Sequence, residues 1–99
     1  MSENTLIQYP NSAAEMSIPA NTTITPVDRR INLKLIFVSV SIPENGTMTV
    51  YNNNVKTMFF ADETVNLIFP DGVLYEDLVI VLSNTGTDAA RFNYRMIFE

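Results

Sequence analysis

Neither cysteine nor histidine occurs in this 99-residue chain. Lack of cysteine removes disulfides and thiolate metal sites. Lack of histidine removes imidazole-ligated metals and every Ser-His-Asp or Cys-His arrangement. Charge is also sparse, with 6 Lys+Arg against 11 Asp+Glu and a net charge of -5. Binding to nucleic acid is driven by cations that displace counterions from phosphates, and the field here has the opposite sign, so no nucleic-acid partner is expected. The opening "MSENTLIQYP" has no basic segment leading into an apolar one, and no run approaches the roughly 20 apolar residues of a membrane helix. A soluble chain with no membrane partner, no secretory address and no cofactor is expected.

Hydrophobic residues make up 46% of the chain and charged ones 17%, a balance that suits one small folded domain. Val, Ile, Thr, Phe and Tyr fill the apolar segments, while Asn, Gly, Pro and Asp collect between them. Turn signals stand at Pro43-Glu44-Asn45-Gly46, Asn52-Asn53-Asn54, Pro70-Asp71-Gly72 and Asn84-Thr85-Gly86, with each glycine placed where a positive φ is useful. The spacing predicts strands at Arg30–Ile42, Thr47–Tyr51, Val55–Phe60, Thr64–Phe69, Leu78–Ser83 and Ala90–Phe98, with one or two more inside Ala14–Thr25. The fold class that follows is all-β: an antiparallel β-sandwich of jelly-roll or immunoglobulin-like type, with about seven or eight strands and no substantial helix. Residues 1–28 read as an N-terminal arm or loosely packed segment, and residues 29–99 as the sandwich domain.

The last strand alternates cleanly, with Phe92, Tyr94, Met96 and Phe98 on the face that belongs in the core. In Arg30–Ile42 the apolar parity changes: Ile31, Leu33, Leu35 and Phe37 share one face, whereas Ile36, Val38, Val40 and Ile42 share the other. Either a bulge near Leu35 to Phe37 switches the inward face, or both faces are covered. Leu78 to Leu82 is apolar at every position and poses the same choice.

Candidate chemistry is thin. Asp62-Glu63 and Glu76-Asp77 offer oxygen ligands or an acid and base, but neighbours on a strand point to opposite faces, and the spacing fits no calcium loop. They read as solvated turn carboxylates. Asn21-Thr22-Thr23 and Asn45-Gly46-Thr47 match a glycosylation pattern and read as turn chemistry. Tyr9, Tyr51 and Tyr75 are placed to stack on a sugar or on a neighbouring subunit. Arg29 and Arg30 suit bidentate pairing with a partner's carboxylates. Leu6 and Ile7 in the arm, with Val79 and Val81 on the second face of the apolar run, complete the candidate contact residues.

The segment from about Arg30 onward resembles a type of small β-sandwich protein found in tailed-phage structural gene clusters. The likeness lies in the order of "LKLIFVSVSI", an Asn-Gly turn into "TMTVYNNN", then "NLIFPDGVLYEDLVIVLSNTG" and a closing strand. It implies a non-enzymatic virion component, a decoration or cement protein on the capsid exterior, assembled in the host cytoplasm. It further implies homo-oligomers, commonly trimers, that clamp neighbouring major capsid subunits. The alternative is a phage tail or fibre module that binds host-surface carbohydrate through exposed tyrosine.

Overall fold

A computed structural model describes residues 12–99, which are all-β with no helix. β1 (Ser12–Ile18), β2 (Thr22–Asn52), β3 (Val55–Asn84) and β4 (Ala90–Phe98) form one antiparallel sheet in the order β1-β4-β2-β3. β2 and β3 are 31 and 30 residues long, so two of the expected turns do not end strands. Pro43–Gly46 and Pro70–Gly72 lie inside β2 and β3, each with one left-handed residue, Asn45 and Gly72. Proline's fixed φ is compatible with extended backbone, and the ladder accommodates the first stretch as a register shift between Ile42 and Gly46.

Left-handed backbone falls on residues that tolerate it. Every non-glycine residue with positive φ among those described is Asn or Asp: Asn21, Asn32, Asn45, Asn53, Asn54 and Asp62. Their short polar side chains lower the usual cost of this conformation. Asn53 and Asn54, at φ 53 and 67, supply the two positive angles that a tight type I′ hairpin between β2 and β3 requires. The glycines behave differently from expectation. Only Gly72 takes a positive φ, at 74, and a Cβ there would also meet the Lys34 Cβ at 2.8 Å. Gly46 is glycine because the Phe92 ring lies against it: an added Cβ would sit 2.7 Å from the ring's Cζ.

β2 and β3 run beside each other more than once. Thr22–Leu35 pairs with Val73–Asn84, Phe37–Ile42 with Glu63–Ile68, and Thr47–Asn52 with Val55–Ala61. Gly46–Asn52 also pairs on its other edge with Leu78–Asn84, which therefore has β2 on both sides. β4 lies along Leu35–Ser41 and carries β1 on its far edge. β2 passes from Asp28 to Arg29 without interruption.

The core follows the alternation. Phe92, Tyr94, Met96 and Phe98 are all buried, as the pattern in β4 predicts, while Arg91, Asn93 and Arg95 are exposed. In β2 a register shift between Leu35 and Phe37, present against both β3 and β4, moves the inward parity from Leu35 to Val38, Val40 and Ile42. Of the two readings of that strand, the bulge is the one realised. In β3, Leu78, Ile80 and Leu82 are fully buried, and Val79 and Val81 are half-buried on the opposite face.

Candidate interaction surface

The register assembles the outward side chains into rows. Tyr51 stands opposite Val79, and Thr49 stands between Phe59 on one neighbour and Val81 on the other. Thr47 and Ser83 form the next row, and the Ser83 hydroxyl is 2.9 Å from that of Thr23. The result is a mainly apolar strip interrupted by Thr49, with hydroxyls at one end and exposed charges at its edges, Lys56 opposite Tyr51 and Asp28 opposite Val79. Phe59 is 51% exposed, and Tyr51, Val79 and Val81 are half-buried. Their inward neighbours Met48, Val50, Leu78 and Ile80 have 0% exposure, so the outward set adds nothing to the intramolecular core. Three of the residues expected at a contact, Tyr51, Val79 and Val81, thus lie side by side.

The remaining expected contact residues are not part of that strip. Arg30 pairs through Nη1 with Asp77 Oδ1 at 3.1 Å across β2 and β3, and Arg29 is exposed opposite Leu78 in the register. Leu6, Ile7 and Tyr9 lie outside the described residues. Tyr75 is a correction: instead of standing near a loop to stack on sugar, it is 1% exposed in the core. Its ring meets Phe98 edge-on at 6.1 Å, and its hydroxyl is 2.6 Å from the Thr57 hydroxyl. Burial raises its pKa above the ordinary 10.0, partly offset by the bond to Thr57. Burial also raises that of Tyr94.

The carboxylate pairs serve the backbone and its neighbours. Glu63 Oε2 accepts the Ala61 amide at 3.1 Å, Glu76 Oε1 accepts the Asn53 side-chain amide at 2.7 Å, and Asp77 faces Arg30. Asp62 occupies a left-handed corner at φ 46. Among the described residues no three potential metal ligands gather, and no pocket opens.

A polar site that the sequence reading took as a turn is Asn84. It is 1% exposed, and its Nδ2 donates to the carbonyls of Ile18, Pro19 and Asp88 at 2.9, 3.2 and 3.0 Å. Its Oδ1 accepts the Gly86 amide at 2.9 Å. One side chain thereby ties the end of β1 to the end of β3 and to the loop before β4. A strand-terminal Asn followed two residues later by Gly is the signal, but the distant carbonyls of Ile18 and Pro19 leave none.

The chain matches no family model, no curated protein and no solved structure.

Proposed function

We propose that this chain is a non-enzymatic structural protein of a tailed-phage particle, a capsid decoration or cement protein that self-associates and binds neighbouring major capsid subunits on the capsid exterior. The observation that carries the reading is the outward strip of Tyr51, Val79, Val81 and Phe59, apolar surface that the isolated chain leaves partly accessible. Apolar residues that the fold does not use for its own core are what an interacting face requires. The resemblance of residues 30–99 to phage β-sandwich proteins supplies the setting, and the Glu63, Glu76 and Asp77 carboxylates, engaged with the Ala61 amide, the Asn53 side chain and Arg30, agree with it.

The same reading takes the fold as a two-layer sandwich of about eight arms. In it the long β2 and β3 bend from one layer to the other near Asn45, Asp62 and Gly72, and the buried residues of both layers face inward. Two features support this. Leu78–Asn84 is flanked by β2 on both edges, and the Cα extents across the molecule are 24 and 22 Å. A flat four-stranded sheet would be about 15 Å wide and only a few ångströms thick at the backbone.

Co-sedimentation with capsids that lack the protein tests the function. The native chain is expected to pellet with particles to saturation, and Val79→Lys/Val81→Lys is expected to stay folded by circular dichroism and lose binding by at least about tenfold. A native chain that remains in the supernatant, or a double variant that binds as well as the native chain, counts against the proposal. Glycan binding that disappears in Tyr51→Ala while particles are ignored would promote the carbohydrate-binding alternative.

A further inference from the structure

The most exposed large hydrophobic residue among those described is Ile68, at 72%. It stands opposite Phe37 of β2, which in turn stands opposite Ile97 of β4, so the three side chains share one outward row across the sheet. Phe37 and Ile97 are half-buried, whereas Leu35, Val38, Met96 and Phe98, on the inward parity, are fully buried. Elsewhere the same outer face is polar, with Glu15, Ser41, Thr64, Asn66, Asn93 and Arg95 all exposed. The apolar row lies at the end of that face where the described chain begins: Ser12 pairs with Met96, the residue before Ile97. Eleven residues precede Ser12, and "TLIQYP", residues 5–10, is their apolar part.

We propose that residues 5–9 cross this outer face of their own chain, with Tyr9 against Ile97 and Phe37 and with Ile7 against Ile68. Pro10 has no N–H to give a ladder, which lets the chain leave the sheet edge there, and it keeps the residue before it, Tyr9, extended. An extended segment alternates, so Ile7 and Tyr9 share a side. From β1 to the strand that carries Ile68 is three strand spacings, about 14 Å, and the five residues from Ser12 back to Ile7 reach about 17 Å. The reach and the spacing of apolar residues therefore match the row. So short a tether holds the segment at millimolar effective concentration, which selects the chain's own segment over that of a second copy. The contact uses none of Tyr51, Val79 and Val81 and is tested on free protein, so it is judged separately from particle binding.

The absence of cysteine makes thiol chemistry a clean test. In the full chain, Ile68→Cys is expected to react with a thiol reagent about tenfold more slowly than Thr64→Cys, four residues away on the same face. Adding Ile7→Asp/Tyr9→Asp should raise the Ile68→Cys rate to that of Thr64→Cys while circular dichroism stays unchanged. The second measurement does not depend on how the chain tolerates aspartate: Ile7→Cys/Ile68→Cys is expected to close a disulfide within one chain under mild oxidation. Equal labelling of Ile68→Cys and Thr64→Cys would overturn the proposal, as would labelling that the aspartates leave unchanged in a folded chain. So would a double-cysteine variant that forms no disulfide, or forms it only between chains, because the segment would then lie elsewhere or on a second copy.

Discussion

At Asn84 one buried amide satisfies the carbonyls of Ile18, Pro19 and Asp88 while its oxygen holds the Gly86 amide. Asn84→Ala leaves these groups without partners in a region closed to water, and each such group costs about 1–3 kcal/mol. A loss of about 2–4 kcal/mol in urea unfolding is expected, whereas Asn93→Ala, an exposed position on β4, should fall within about 0.5 kcal/mol of the native chain. The buried tyrosines set the alkaline limit. Folded Tyr75 and Tyr94 hold their protons to a higher pH than the ordinary 10.0 of the unfolded chain. Between the unfolded and folded pKa values the native state binds more protons, so their contribution is fully present below pH 10 and is lost as pH rises beyond it. Urea midpoints measured from about pH 8 to pH 11 should fall steeply above about pH 10, and Tyr94→Phe, which has no hydroxyl to ionise, should flatten that fall.

At the scale of the element, the backbone of β2 and β3 is shaped by where Asn, Asp and Gly allow it to bend. Asn54→Gly should preserve or raise stability by a few tenths of a kcal/mol, and Asn54→Val should lower it by about 1–2 kcal/mol, because φ 67 is open to glycine and strained for a β-branched side chain. Thermal unfolding of the pair measures the difference. The strand composition, the inward face of β4 and the Asn53-Asn54 hairpin were all legible in the sequence, since each depends on local period or local turn chemistry. The parity change in β2 was legible as a choice, and the register decided it at Leu35 to Phe37. Pro43–Gly46 and Pro70–Gly72 were misread as reversals because proline and glycine mark a bend as readily as a turn, and only long-range pairing distinguishes them. Gly46 was misread for a similar reason: the Phe92 ring that demands a glycine there is 46 positions away in sequence.

Over the whole molecule, side chains from distant parts of the chain form one outward strip that no single run reveals. Val79 and Val81 stood out because a half-solvated strand should alternate, and Tyr51 because of its parity; that Tyr51 lies opposite Val79, with Thr49 linking Phe59 to Val81, follows from pairing across β2 and β3. Tyr75 could not be separated from Tyr51 by sequence, since its partners are Thr57, 18 residues earlier in β3, and Phe98 of β4. The measurement that tests this account most directly is a density map of the intact particle at a resolution that places side chains. This chain is expected on the capsid exterior with Tyr51, Val79 and Val81 seated against major capsid subunits. Its presence only in the neck or tail, its absence from the particle, or the same residues facing solvent would contradict it.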